Sequence, residues 1–280
     1  MQIQSPVLSV QNLSLAYAKT TVLHDIYLDL PPSSVVGLIG RNGAGKSSLM
    51  RCMIGLSVPQ SGSVKLWDDD ALTLSDATRA RIGYVPQQAE LVQWMTVWEH
   101  IEYVGSFYPR WQEGRARVLC TQLDLALDIT VKNLSVGDQQ KLSIVLALAH
   151  DPDLVLMDEP VASLDPFTRR DFMRMLLDRD EPRTVLLSSH LLSDLERVVS
   201  HVAFMREGRL QLMSSWDDLT ENLRLLTVTD PLLPQPGLLT QRVLDGRWRA
   251  VVDTRTAALS NFSQVGQAPL LEELFIELNK

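Results

Sequence analysis

Cysteine is scarce in this sequence. Only Cys52 and Cys120 occur among its 280 residues, and they lie far apart in the chain. Two isolated thiols are too few for a disulfide framework or a cysteine-rich zinc site. We therefore expect two buried or half-buried thiols in a reducing environment.

Long apolar runs and an excess of basic charge are also lacking. No stretch of about 18 uninterrupted apolar residues occurs, so we expect no membrane span. The first ten residues, MQIQSPVLSV, do not follow the pattern of a secretory signal. A net charge of -8 disfavours nucleic acid as a partner, although a local patch could still dock on a membrane protein. The 45% of hydrophobic residues is typical of a globular α/β protein with a sizeable core.

One glycine-rich segment, residues 40–47 (GRNGAGKS), satisfies the pattern G-x-x-x-x-G-K-[ST] at every fixed position. The glycines permit a tight turn whose backbone N–H groups converge on a phosphate chain. Lys46 is expected to reach the β- and γ-phosphates, and the Ser47 hydroxyl to bind Mg²⁺. An apolar strand at residues 35–39 and a helix at 48–54 are predicted on either side, so that the helix N-terminus faces the phosphates.

Short alternating segments precede this loop. They predict a strand with a bend at residues 7–17, at the edge of a sheet, and two further strands at 21–23 and 26–30. The first layer is therefore expected to be mixed, with antiparallel strands. Tyr17 stands at a strand end, where it could stack on an adenine or be an ordinary edge tyrosine, and its position leaves both open.

Gln87 follows a predicted strand at residues 81–85 and a proline. Ligands gather at the carboxyl ends of strands in α/β sheets, which favours a functional role. The alternative is a plain loop residue.

Residues 89–134 are rich in aromatic side chains and then continue with helical spacing. We interpret them as an inserted helical subdomain. Aromatics are favoured at interfaces, so residues 94–111 are a candidate partner surface. The alternative is that these aromatics form the core of the subdomain, and we expect both to hold in part.

A long apolar helix follows residues 134–140 (LSVGDQQ). Ser135 occupies the expected N-cap position, and Gly137 lies in the first turn. This helix start is a second candidate anion site. One nucleotide could not obviously use both sites within one molecule.

Residues 154–157 (LVLM) read as a strand buried on both faces, and Asp158 and Glu159 follow it. An acidic residue in this position downstream of a phosphate loop is the Walker B arrangement. Asp158 is expected to hold Mg²⁺, and Glu159 to polarise an attacking water. A helix at 167–178, a strand at 184–187 and a helix at 191–199 are predicted next. His190 follows the strand end, where it could contact a γ-phosphate or be structural.

Together these motifs resemble the ATP-binding subunit of an ATP-binding cassette (ABC) transporter over residues 5–215. The resemblance implies an α/β P-loop NTPase fold with a mixed sheet core, an antiparallel β layer and a helical subdomain inserted at about 89–150. It implies an ABC nucleotide-binding domain at residues 1–215. Residues 216–280, with predicted strands at 223–229 and 247–253 and a helix at 269–278, would form a small α+β appendage like that of ABC-2 type exporters.

The resemblance also assigns roles. Glu159, His190, Lys46 and Gln87 would be catalytic, and Ser47, Gln87 and Asp158 would hold Mg²⁺. The residues expected to contact ATP are Tyr17, Gly40, Asn42, Gly43, Ala44, Gly45, Lys46, Ser47, Ser48, Ser135, Gly137 and Asp165.

In this family two cassettes pack head to tail, and each ATP lies between the phosphate loop of one and the signature of the other. The resemblance therefore implies a second ABC subunit, in a homodimer or a heterodimer, and a membrane-spanning partner. It places the chain at the cytoplasmic face of the cell membrane and its function in ATP-driven transport, with export favoured. The transported substrate is not encoded here.

The signature departs from the family pattern, because LSVGD stands where the family has LSGGQ. A carboxylate at Asp138 adds repulsion near the partner's nucleotide. We hypothesise weak dimerisation or slow turnover in the isolated subunit.

There are three alternatives to a function in transport. A cassette acting on ribosomes or DNA usually has two cassettes or a long coiled coil, and this acidic chain has neither. A clamp or regulatory module without transport is favoured slightly by Val136 and Asp138 and opposed by Glu159. A P-loop kinase would not need the LSVGD helix start.

Overall fold

The structure is a computed structural model that describes residues 5–177, 183–189, 192–256 and 266–278, and all statements below refer to these residues. The strands are β1 (Leu8–Tyr17), β2 (Thr20–Leu30), β3 (Val35–Gly40), β4 (Ser61–Leu66), β5 (Asp69–Asp70), β6 (Ile82–Val85), β7 (Leu154–Asp158), β8 (Thr184–Ser188), β9 (His201–Arg206), β10 (Arg209–Ser215), β11 (Leu223–Val228), β12 (Leu238–Leu244) and β13 (Arg247–Asp253). The helices are α1 (Lys46–Met53), α2 (Asp76–Arg79), α3 (Val97–Gly105), α4 (Glu113–Gln122), α5 (Val136–Leu148), α6 (Pro166–Leu177), α7 (Leu192–Leu195), α8 (Trp216–Asn222) and α9 (Leu271–Leu278).

A six-stranded sheet of order β10-β9-β3-β8-β7-β6 forms the centre of the fold. Its strands are parallel except β10, which pairs antiparallel with β9. Every residue of β7 and β8 is buried, as expected for strands covered on both faces. Because β3, β6, β7 and β8 run in one direction, their carboxyl ends lie along one edge of the sheet.

The antiparallel layer has the order β2-β1-β4-β5, which corrects two predictions. β1 is internal, not at the edge, because β4 pairs with its second side. The two predicted strands at 21–23 and 26–30 are one strand, β2, in which Asp25 adopts a φ of 49°. The register with β1 shifts here, and Ser14 accepts a hydrogen bond from the Asp25 N–H at 3.0 Å. This irregularity interrupts the alternation of side chains without ending the strand.

The helical segment comprises α3, α4 and α5. α3 begins with a capping box between Thr96 and Glu99. The aromatics of residues 94–111 divide into two groups: Trp98 and Trp111 pack against the main core, whereas Trp94 and Phe107 are exposed. The partner surface stays a prediction. Cys52 and Cys120 are both buried, and burial raises the pKa of each thiol to about 11.

The C-terminal part contains the sheet β11-β13-β12, together with α8 and α9. α8 and β12 were not predicted from the sequence. α7 is shorter than the predicted helix at 191–199, because the chain turns after Leu195 to enter β9. Leu271 and Leu274 of α9 join the same buried cluster as Leu195. None of the helices in the described residues is long and apolar enough to cross a bilayer.

Candidate functional site

The glycine-rich loop joins β3 to α1 at the carboxyl edge of the central sheet. Gly45 is the N-cap of α1 and has a φ of 98°. A Cβ atom on Gly45 would lie 2.7 Å from Leu23 Cδ2, so both the backbone conformation and the close packing require glycine. A glycine N-cap supplies no side-chain acceptor for the first N–H groups of α1, and such helix starts bind anions.

Lys46 lies at the base of this loop and is only 7% exposed. Its Nζ donates to the Gly40 carbonyl oxygen at 2.8 Å and lies 3.9 Å from Glu159 Oε1. Burial lowers the pKa of Lys46, and the neighbouring carboxylates of Glu159 and Asp158 oppose that shift. A buried ammonium group beside the loop can bind a phosphate oxygen, and the two neighbouring carboxylates favour its charged form.

Asp158 is the last residue of β7, Glu159 follows it, and both are buried. The Ser188 hydroxyl, at the end of the neighbouring strand β8, donates to Asp158 Oδ1 at 2.7 Å and accepts from the Glu159 N–H at 2.9 Å. Ser188 therefore fixes the Asp158 carboxylate relative to the Glu159 backbone, which has a φ of 50°. The sequence analysis assigned Ser188 no role. Its role follows from the register of β7 and β8, which pairs Asp158 with Ser188.

These segments enclose a cavity of about 330 Å³. It is lined by Val22, Asn42, Gly43, Ala44, Gly45, Lys46, Ser47, Ser48, Gln87, Asp158 and Glu159. The fold thus brings together the loop, the residue after β6 and the end of β7, which are separate in sequence. Ser47, Gln87 and Asp158 offer hydroxyl, amide and carboxylate oxygens to this cavity, and Mg²⁺ prefers oxygen ligands of this kind. Val22 was not predicted.

Two predicted contacts, those of Tyr17 and His190, stay untested. Tyr17 ends β1, is 48% exposed, and its hydroxyl lies 3.5 Å from Ser57 Oγ. Among the described residues the cavity lining includes Val22 but not Tyr17, so adenine stacking by Tyr17 stays a prediction. His190 lies outside the described residues.

Ser135, Gly137 and Asp165 form a second cluster, and none of them lines the cavity. Ser135 is the N-cap of α5, and its Oγ accepts from the Asp138 N–H at 3.1 Å. A Cβ atom on Gly137 would lie 2.8 Å from the Ser163 carbonyl oxygen, so the α5 start approaches the turn at 163–165 closely. The Asp165 carboxylate caps α6 by accepting from the Thr168 hydroxyl and from the N–H groups of Phe167 and Thr168, and these bonds lower the pKa of Asp165.

Gln140 is a further residue that sequence reasoning missed. It lies on α5, is 4% exposed, and donates from Nε2 to the Pro86 carbonyl oxygen at 3.4 Å. This contact connects α5 to the segment that carries Gln87. The sequence signal that could have identified Gln140 is a polar residue within an otherwise buried helix.

The loop, the buried lysine and the two acids at the end of β7 define a P-loop nucleotide-binding site. Residues 23–162, half of the chain, match the family model described as ABC transporter. The chain therefore belongs to the ABC transporter family, as an ATP-binding domain.

Several relatives have informative names. The bacitracin transport ATP-binding protein BcrA of Enterococcus faecalis is 27% identical, and the match covers 94% of this chain and 87% of that protein. The lantibiotic transport ATP-binding protein SrtF of Streptococcus pyogenes is 30% identical, over 79% of this chain and 95% of that protein. The Nod factor export ATP-binding protein I of Cupriavidus metallidurans is 31% identical, over 72% and 69% respectively.

Solved structures agree with this fold. The structure of an ATP-binding subunit of an ABC transporter superposes with a TM-score of 0.70 at 29% identity, covering 76% of this chain and 91% of that chain. A dimeric ATP-binding cassette bound to ADP and phosphate shares the fold with a TM-score of 0.68 at 23% identity, over 74% and 98%. The prediction of an α/β cassette fold with additional antiparallel sheets is confirmed.

Proposed function

We propose that this chain is the ATP-hydrolysing subunit of an exporter, that it works as a head-to-tail dimer of cassettes, and that it powers a separate membrane-spanning partner. The observation that carries the proposal is the cavity in which Lys46, Gln87, Asp158 and Glu159 meet the glycine-rich loop. Under this proposal residues 1–215 are the nucleotide-binding domain, with the helical subdomain at about 89–150, and residues 216–280 are the appendage.

ATP binding rests on the loop and on Lys46. The loop N–H groups and the α1 N-terminus would cradle the phosphates, and Lys46 would pair with the β- and γ-phosphates. Ser47, Gln87 and Asp158 would hold Mg²⁺, which neutralises phosphate charge when bound. The adenine would lie toward Tyr17 and Val22.

Hydrolysis would depend on Glu159. Its carboxylate lies at the cavity wall, 3.9 Å from Lys46 Nζ, and is placed to orient a water in line with the γ-phosphate. Lys46 and His190 would stabilise the charge that develops on the phosphoryl group. Ser188 would keep Asp158 in place throughout.

The second cluster supports a dimer. Ser135, Gly137 and Asp165 lie away from the cavity of their own chain, so they would contact the nucleotide bound by a partner cassette. The partner could be a second copy or a related subunit.

A groove of about 860 Å³ supports docking on a membrane protein. It lies between residues 76–81 on one side and Val104 of α3 with residues 107–110 on the other. Phe107 lines the groove and is 66% exposed. The names of relatives that act in bacitracin transport, lantibiotic transport and Nod factor export favour an export role at the cytoplasmic face of the membrane.

A second candidate function is an ATP-dependent clamp without transport. The observation that favours it is the Ser135 hydroxyl, which Asp138 engages at 2.7 Å instead of leaving it free for a nucleotide. Co-purification separates the two candidates. A multi-span membrane protein recovered with the tagged chain from detergent-solubilised membranes supports the exporter subunit, and recovery of the chain without one supports the clamp.

The catalytic assignment is tested with Glu159→Gln. We expect unchanged ATP binding and a loss of phosphate release of about 10²-fold or more, because the water loses its base. Glu102→Gln, at an exposed position on α3, is the matched control and should retain the parent rate. Phosphate release by Glu159→Gln at the parent rate would remove Glu159 from the mechanism.

A further inference from the structure

The hydroxyl group of Ser135 is fully engaged within its own helix start. It accepts from the Asp138 N–H at 3.1 Å and donates to Asp138 Oδ2 at 2.7 Å. A serine hydroxyl has one proton. In this arrangement Ser135 therefore has no proton to donate to a phosphate oxygen.

Lys141 engages the other oxygen of the same carboxylate. Its Nζ lies 2.9 Å from Asp138 Oδ1, and the Lys141 side chain is 12% exposed. Partial burial would raise the pKa of Asp138, but the hydrogen bonds from Ser135 and Lys141 outweigh it and lower the pKa. Asp138 is therefore a carboxylate at neutral pH, with one oxygen on Ser135 and one on Lys141.

The Ser135 hydroxyl is accessible to another molecule. Val136, which precedes Gly137, is 71% exposed, and Ser135 is exposed as well. A phosphate that approached Ser135 would meet the negative charge of Asp138 within a few ångströms, where solvent screens incompletely.

We propose that Asp138 and Lys141 are opposed positioning residues that control whether Ser135 can donate to the nucleotide of the partner cassette. Asp138 withholds the hydroxyl proton of Ser135. Lys141 offsets the charge of Asp138. It also keeps its ion pair with the Asp138 carboxylate when the Ser135 hydroxyl turns toward the phosphate. This inference rests on the proposed head-to-tail dimer. It predicts that closure of the dimer depends on Lys141 when residue 138 is a charged aspartate, and that this dependence is lost when residue 138 is neutral.

A double-mutant cycle tests the proposal in the Glu159→Gln chain, which would hold ATP without turnover. The variants are Asp138→Asn, Lys141→Met and the double variant, and ATP-dependent dimerisation is measured by sedimentation velocity. We expect Asp138→Asn to tighten the dimer by about tenfold and Lys141→Met to weaken it by about tenfold, since charge pairs in contact couple at this scale. In the Asp138→Asn background, Lys141→Met should change the affinity by less than about threefold.

Three controls exclude a purely structural effect. Asp138→Asn leaves the N-cap in place, because the N–H that donates to Ser135 Oγ belongs to the backbone of residue 138, and thermal unfolding midpoints report any loss of the cap. Lys141→Arg should retain the parent affinity because it keeps the charge. Ser135→Ala should abolish the gain produced by Asp138→Asn, since no hydroxyl is left to release.

The outcomes distinguish this inference from the proposed function. If the parent chain binds no ATP, the proposed function fails. If it binds ATP and dimerises but Asp138→Asn does not tighten the dimer, this inference alone is overturned. If every variant binds ATP and stays monomeric, this inference and the homodimeric form of the proposed head-to-tail assembly are both overturned, while ATP binding stands. Equal effects of Lys141→Met in both backgrounds would also overturn it.

Discussion

At the scale of single residues, Ser188 is the polar group on which the two acids at the end of β7 depend. It is completely buried, and its hydroxyl bonds both the Asp158 carboxylate and the Glu159 N–H. A buried acceptor or donor that loses its partner costs about 1–3 kcal/mol. Ser188 thus couples the orientation of the expected metal ligand to that of the expected base.

We predict that Ser188→Ala lowers kcat for ATP hydrolysis by about 10-fold to 100-fold, the usual effect of removing a group that orients a ligand. The Mg²⁺ concentration needed for half-maximal rate should rise, because Asp158 loses its fixed orientation. ATP affinity without Mg²⁺ should change little. Ser143→Ala, a buried serine on α5, is the matched control. An unchanged Mg²⁺ requirement in Ser188→Ala would contradict the assignment.

The sequence was sufficient for residues whose chemistry demands a local pattern. The phosphate loop is contiguous, so Lys46 and Ser47 could be assigned from spacing alone, and Asp158 from its place after an apolar run. Ser188 and Lys141 could not be assigned in this way. The role of Ser188 depends on which strand pairs with β7, and the role of Lys141 depends on the rotamer that brings its side chain to Asp138, one helical turn away. A linear pattern shows neither of these.

At the scale of elements, α9 is held to the C-terminal sheet by charged groups as well as by its apolar face. Arg242 on β12 donates to both carboxylate oxygens of Glu277, at 2.5 and 2.8 Å. The Glu277 side chain is 2% exposed, and Arg249 on β13 lies 3.8 Å from the same carboxylate. A buried pair of this geometry costs about 3–5 kcal/mol when one partner is removed, because the other charge is left uncompensated.

We therefore predict that Glu277→Ala lowers the free energy of unfolding by about 3 kcal/mol. Glu273→Ala on the same helix should cost less than about 1 kcal/mol, because its side chain is 33% exposed and lies 3.5 Å from Arg249. Chemical denaturation followed by far-UV circular dichroism measures both. A loss for Glu277→Ala as small as that expected for Glu273→Ala would show that the buried ion pair contributes little to holding α9.

Strands with a clear pattern of apolar residues were predictable from the sequence, whereas strands whose pattern depends on their neighbours in the sheet were not. The inner residues of β3, β7 and β8 are apolar because both faces are covered, and this pattern is visible in the sequence. β2 was divided in two because its irregularity at Asp25 breaks the alternation. β12 was not predicted, because an edge strand with a single neighbour, β13, need not show alternating apolar and polar side chains.

At the scale of the whole molecule, α5 connects the second cluster, which comprises Ser135, Gly137 and Asp165, to the wall of the cavity. Its start carries Ser135 and Gly137, while Gln140 reaches Pro86, which lies next to Gln87 in the cavity wall. Under the proposed function a change at the nucleotide could therefore reach the α5 start and the Gln87 segment together, as a two-state element biased by ligand.

The groove gives this proposal its sharpest test. Trp98 is a poor choice for a docking variant, because it packs against the core and carries Arg117 over its ring at 3.8 Å. Phe107 is better suited, since it lines the groove and is largely exposed. We predict that Phe107→Ala reduces co-purification with a membrane subunit by about tenfold or more, as for a central aromatic of an interface. Truncation of an exposed ring should leave the thermal unfolding midpoint within about 1 °C.

Trp94→Ala is the matched control for that experiment. Trp94 is 73% exposed and belongs to the same aromatic segment, but it is not among the described residues that line the groove. Loss of the membrane subunit with Phe107→Ala and its retention with Trp94→Ala would locate docking in the groove. Loss with Trp94→Ala alone would move the interface toward the start of α3, and retention with both would separate this aromatic segment from partner binding, because neither exposed ring would then contribute to the contact.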